Sequence, residues 1–215
     1  MIKIKSIQTS KTARYVLSNN PSNKIKNVWI ICHGYGQTSI GFLKWFNPIF
    51  SEDTIVIAPE GLSKFYWEGF NGKVVSSWMT KEDRENEIND YINFIENVIA
   101  EIKPKLNNNV KYHALGFSQG TATISRWANF TNLNLQSITL WSGLFPDDII
   151  NSWSEKKLPK LYFFFGDNDP FINSSKIKQQ ELNLNKEGIV YEIIFFIGKH
   201  KVEKKPLLVL NNKVQ

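Results

Sequence analysis

One cysteine, two methionines and three histidines are all that 215 residues contain of these types. A lone thiol closes no internal disulfide, which excludes a disulfide framework and fits a reducing compartment. Cys32 lies in the apolar run "NVWIICHG" and reads as a buried structural thiol. Nothing approaches the ~18 consecutive apolar residues of a membrane span. The opening "MIKIKSIQTSKTARYVLSNN" alternates apolar and polar residues and lacks the continuous apolar stretch of a signal peptide. The expectation is a soluble cytoplasmic protein without stable membrane insertion. Strong charge of one sign is also missing: 26 basic against 20 acidic residues leave +6, spread along the chain. The short basic run "GKHKVEKKP" (Gly198 to Pro206) reads as a solvated face, and no motif for nucleic acid accompanies it. Repeats, low-complexity tracts and linkers are absent too, so one domain over 1–215 is expected.

What is present is apolar and ring-rich: 42% hydrophobic, with fifteen Phe, seven Trp and seven Tyr, enough for one sizeable core. Ile2–Ile7 and Ala13–Leu17 alternate like an antiparallel pair at a sheet edge. Six compact runs then read as strands buried on both faces: Val28–Cys32, Thr54–Pro59, Val110–Gly116, Ser137–Ser142, Leu161–Gly166 and Val190–Gly198. A helix is expected to begin at "TKED", where Thr80 and Asp83 are spaced as a capping box. Ile88, Tyr91, Ile92, Ile95, Val98, Ile99 and Ile102 give it one apolar face, and Pro104 ends it. Further helices are expected from Ser118 to about Phe130 and from Ser174 or Ser175 to Glu187, with Gly188 just past the end. Alternating strands and helices imply an α/β fold with a mostly parallel sheet covered on both faces. Gly61–Met79 is the longest stretch expected to lack regular structure, and no insertion is long enough for a large lid domain.

"GFSQG" (Gly116 to Gly120) fits G-x-S-x-G, between an apolar strand and a helix of small residues. That is the setting of a nucleophile elbow, in which a tight turn exposes the serine hydroxyl at the end of the sheet. The competing reading makes Ser118 only a helix cap. A serine needs a base. His113 sits inside a strand and His33 among loop-shaping glycines, whereas His200 is the one histidine downstream of Ser118, in the chain order Ser, acid, His. "GDNDPFI" offers two acids. Asp169, held rigidly before Pro170, is preferred, with Asp167 as the alternative. Backbone donors for an oxyanion are expected at Gln119, directly after the serine, and at Tyr35 in "HGYG". Trp67, Trp78, Trp141 and Phe171 lie in segments flanking the site and are expected to line the substrate pocket.

Taken together, "HGYGQ", "APEG", "SW", "GFSQG", "LWSG", "GDNDP" and "GKH" resemble the small carboxylesterase and lysophospholipase-type hydrolases, including the acyl-protein thioesterases. The resemblance implies an α/β-hydrolase fold with antiparallel N-terminal edge strands and no large lid. It also implies a Ser118–Asp169–His200 triad, oxyanion donors at Tyr35 and Gln119, and no cofactor or metal. The chain departs from the thioesterases at Tyr35, where they often carry leucine, and in the aromatic "FYWEGF" (Phe65–Phe70). The expected partner is a small-molecule ester or acyl substrate, cleaved by a serine carboxylic ester hydrolase. A peptidase on the same fold, or an inactive binding protein, is the alternative. Substrate identity and oligomeric state are not legible.

Overall fold

The computed structural model describes residues 2–154 and 159–215. Its frame is a seven-stranded sheet. In chain order the strands are β1 (Tyr15–Leu17), β2 (Asn27–Cys32), β3 (Thr54–Pro59), then β6 (Lys111–Phe117), β7 (Leu135–Trp141), β8 (Lys160–Gly166) and β9 (Tyr191–Phe196); β4 (Ser63–Tyr66) and β5 (Val74–Ser77) form a separate hairpin. The spatial order is β1-β3-β2-β6-β7-β8-β9, parallel throughout except for β1, which runs antiparallel to β3.

All six apolar runs form strands, and in the first five their composition explains why both faces are buried. The sixth, β9, is expected to be buried too but lies at the edge of the sheet, with Val190, Phe195 and Ile197 exposed. Along β2, Val28, Ile30 and Cys32 point to one face while Trp29 and Ile31 point to the other; β8 divides Leu161, Phe163 and Phe165 from Tyr162 and Phe164 in the same way. The period of two delivers apolar side chains to both layers. The first layer holds α2 (Arg84–Ile102), α3 (Gln119–Phe130) and α5 (Ser174–Lys186). The second holds α1 (Ser39–Leu43), the 3-10 turns of Lys44–Ile49 and α6 (Lys204–Val214). A short helix, α4 (Ile150–Ser154), precedes β8.

Three further details differ from expectation. Ile2–Ile7 forms no strand. Ile2, Ile4 and Ile7 are 96%, 88% and 92% exposed, and β1 takes its partner from β3 instead. Alternation there has no opposing surface to bury against. The capping box at Thr80 is not made, because α2 starts four residues later, after a left-handed Asp83 with φ 50° and no side-chain cap. The Thr80 N–H and hydroxyl reach Glu87 instead. Gly61–Met79 is not irregular either, since it contains the β4–β5 hairpin, registered Ser63↔Ser77 to Tyr66↔Val74. Strands of four residues are too short to stand out by pattern among so many rings.

Candidate active site

Ser118 occupies the turn between β6 and α3 with φ 53° and ψ −117°, a backbone conformation that costs energy for any residue with a side chain. Its side chain does not cap α3, so the helix-cap reading loses its support. Close packing explains both flanking glycines. A methyl at Gly116 would stand 2.2 Å from the Gly120 carbonyl oxygen, and one at Gly120 would stand 2.1 Å from that of Cys32. The elbow is thus wedged against the end of β2, and the N-terminus of α3 directs its positive end at the serine.

His200 follows β9. Its Nδ1 donates to Asp169 Oδ2 at 2.8 Å. Asp169 carries a fully buried carboxylate whose Oδ1 accepts the N–H groups of Phe171 at 2.9 Å and Ile172 at 3.3 Å. Asp167 points elsewhere, accepting the Gly198 N–H at 3.0 Å and so tying the turn after β8 to the turn before His200. Gly166 allows the two turns to touch, because a methyl there would meet the Gly198 carbonyl oxygen at 2.6 Å. The imidazole is held between Phe171, edge-on at 4.7 Å, and Phe117, at 4.8 Å. Phe117 immediately precedes Ser118, so this ring contact joins the histidine to the elbow. Sequence reasoning passed over Phe117; the signal was an aromatic residue at the first variable position of the motif.

His33 lies in the loop after β2. It is fully buried and donates from Nδ1 to the Gly34 carbonyl at 2.7 Å. Its Nε2 therefore accepts, from the Gly61 N–H at 3.0 Å, with the Ser76 hydroxyl beside it at 3.1 Å. Burial holds its pKa down at about 4, and the imidazole is neutral. In the same loop the Gly34 N–H goes to Gln37 Oε1 at 2.8 Å and the Gly36 N–H to the Ser76 carbonyl at 3.0 Å. Of these three successive amides, only Tyr35 N–H has no acceptor among the described residues. Gly34 faces the elbow directly: a methyl there would lie 3.2 Å from Ser118 Cβ. His113 is buried within β6, bonded to the Ser137 hydroxyl at 2.9 Å and stacked on Trp29. Cys32 is likewise buried, and burial pushes its thiol pKa far up.

The four expected pocket aromatics divide in two. Trp67 is half exposed, with its ring near Tyr35 at 5.9 Å, and Phe171 is 64% exposed beside His200. Trp78 and Trp141 are buried instead, a correction to the expectation that they line the pocket. The Trp78 indole donates to the His33 carbonyl at 2.8 Å, and that of Trp141 to Lys201 at 3.0 Å. Both brace loops at the Ser118 end of the sheet from below. A cavity of about 690 Å³, lined by Lys160, Tyr162, Val190 and Lys213, opens beside the starts of β8 and β9, at the other end of the sheet from Ser118. Among the described residues, no cluster of His, Cys, Asp and Glu is arranged to hold a metal ion, and no helix is long and apolar enough to cross a membrane.

A parallel sheet with a strained serine after one strand, and an Asp–His pair on the turns after two others, defines an α/β-hydrolase architecture. The chain belongs to the phospholipase/carboxylesterase family, whose model matches residues 15–207. Solved structures agree on the fold. Esterase PE8 superposes with a TM-score of 0.69 at 18% identity, over 95% of this chain and 100% of its own. Acyl-protein thioesterase 2 of Zea mays gives 0.69 at 15% identity over 95% and 100%. The Bacillus cereus carboxylesterase gives 0.64 at 14% over 94% and 93%. By sequence, no curated protein matches the chain.

Proposed function

We propose that the protein is a serine hydrolase of carboxylic esters or thioesters that works through an acyl-enzyme on Ser118. The observation that carries this reading is the 2.8 Å bond from His200 Nδ1 to the buried Asp169, at the same sheet end as the strained Ser118. With Nδ1 committed to Asp169, Nε2 is the nitrogen left to take the serine proton. Ser118 Oγ attacks the carbonyl carbon, the proton passes to His200, and Asp169 stabilises the imidazolium. The N–H groups of Tyr35 and Gln119 receive the oxyanion. His200 then returns the proton to the departing alcohol or thiol, and water repeats the sequence to release the acid. Trp67, Tyr35 and Phe171 offer exposed rings for the acyl group, and without a large lid the cleft suits short to medium chains. The family and the esterase and thioesterase neighbours support ester chemistry over peptide cleavage.

The test is labelling with a fluorophosphonate and hydrolysis of p-nitrophenyl esters of graded chain length, in wild type and Ser118→Ala. Loss of both in the variant supports the assignment. A folded wild type that neither labels nor turns over any ester would leave the binding-protein reading.

A further inference from the structure

Gln119 follows the proposed nucleophile, and its backbone amide already has a part in the reading above. Its side chain does something separate. The Oε1 atom accepts the Trp78 N–H at 3.2 Å, while Nε2 donates to the Met79 carbonyl at 2.9 Å and to Ser77 Oγ at 3.1 Å. An N–H and a C=O, one on each side, fix which end of the amide is which. These partners lie about 40 residues upstream, where the chain leaves β5. One residue earlier, Ser76 holds the other half of the site. Its N–H and hydroxyl both donate to the Gln37 carbonyl, at 2.9 and 3.0 Å, and its carbonyl accepts the Gly36 N–H. Ser76 Oγ also lies against His33 Nε2. Four consecutive residues, Ser76–Met79, therefore contact both segments that would supply oxyanion donors.

We propose that the side-chain amide of Gln119 is a positioning device for the oxyanion hole. It latches the residue after the nucleophile onto the Ser76–Met79 strut, so that the Tyr35 and Gln119 amides are set by one stretch of chain. This inference rests on the serine-hydrolase reading. The Gln119 side chain does not touch substrate; it fixes where its own N–H points. Since preorganised donors act through placement, loosening the latch costs transition-state stabilisation and leaves ground-state binding alone.

Gln119→Met keeps the volume and removes both ends of the amide; Gln119→Ala removes the side chain. Turnover of p-nitrophenyl butyrate is measured per active site, counted by fluorophosphonate labelling at completion, so that unfolded protein drops out. The expected result is a fall in kcat of about 10- to 100-fold with KM within about threefold of wild type. Ser18→Ala serves as a control for general loosening. It removes the hydroxyl that accepts the Val56 N–H at 2.8 Å at the far edge of the sheet, and kcat should hold. A kcat per labelled site within fivefold of wild type in Gln119→Met, or a loss confined to KM, overturns the proposal. The outcomes also separate the two readings. Turnover that survives Ser118→Ala defeats the serine-hydrolase reading and this inference with it; a silent Ser118→Ala beside a Gln119→Met of wild-type kcat defeats the positioning role alone.

Discussion

Two aspartates two positions apart, Asp167 and Asp169, compete in sequence for one role, and their surroundings separate them. Asp169 is buried, with one oxygen on His200 and the other on two backbone amides, so replacing it by Asn puts an amide N–H where an acceptor is required and drives the imidazole proton to Nε2, the wrong tautomer. Asp169→Asn should lower kcat by about 10³–10⁴-fold with the fold intact by circular dichroism. Asp167→Asn keeps an oxygen to accept the Gly198 N–H and should stay within about threefold; comparable losses in the two variants would reverse the assignment. The tryptophans divide by the same logic. Trp78→Ala empties a buried site and removes the donor to the His33 carbonyl, which should cost about 3–5 kcal/mol in denaturant unfolding. Trp67→Ala, half exposed beside Tyr35, should change stability by about 1 kcal/mol at most and shift the acyl-chain-length profile instead. Residue identity suggested an aromatic wall. Only burial could tell wall from foundation, because a tryptophan in a loop reads the same either way.

At the scale of elements, the elbow is a packing problem solved by two glycines. Gly120 lies where β6, α3 and the end of β2 meet, and its hypothetical methyl falls 2.1 Å from a backbone oxygen that cannot move without displacing β2. Gly120→Ala should therefore destabilise by about 3 kcal/mol or prevent soluble expression, as overpacking against backbone does. Gly188 gives the contrast. It closes α5 at φ +66° with open space around the site of a methyl, so Gly188→Ala should cost only about 1 kcal/mol, from the left-handed backbone alone. Thermal melts of the pair measure the difference. The strand–serine–helix succession was readable because each part leaves its own local mark: an apolar run, a glycine on either side, then small residues at the start of α3. The β4–β5 hairpin left none. Its strands are four residues long, only β5 is largely buried, and its value lies in partners 40 residues away, which no local pattern encodes. The capping box failed for a related reason. Thr80 has the right spacing, but the chain turns through a left-handed Asp83 before the helix can start.

For the molecule as a whole, parallel strands bring their C-terminal ends to one rim, and Ser118, Asp169, His200 and the Tyr35 loop all follow such ends, so chain order was enough to assemble the candidate site in outline. What the order of strands could not convey is which histidines are sealed inside. His33 and His113 are both fully buried, and in both desolvation is the main reason the pKa falls to about 4; for His113 the charge of Lys111 adds to it. The unfolded chain binds a proton at each near pH 6.5. Between pH 6.5 and about 4 the unfolded state therefore holds more protons than the native one, and stability must fall as pH falls through that window. Each histidine contributes on the order of 3 kcal/mol by this route, fully present above pH 6.5 and gone near pH 4. Urea unfolding from pH 7 to pH 4 should show the decline. His113→Gln should flatten the acid slope by about half while lowering stability at pH 7, since it cannot charge but gives up the stack on Trp29. An unchanged slope in that variant would mean that His113 takes up its proton as readily in the native protein as in the unfolded chain, and that below pH ~6.5 the strand through the centre of the sheet carries a buried charge.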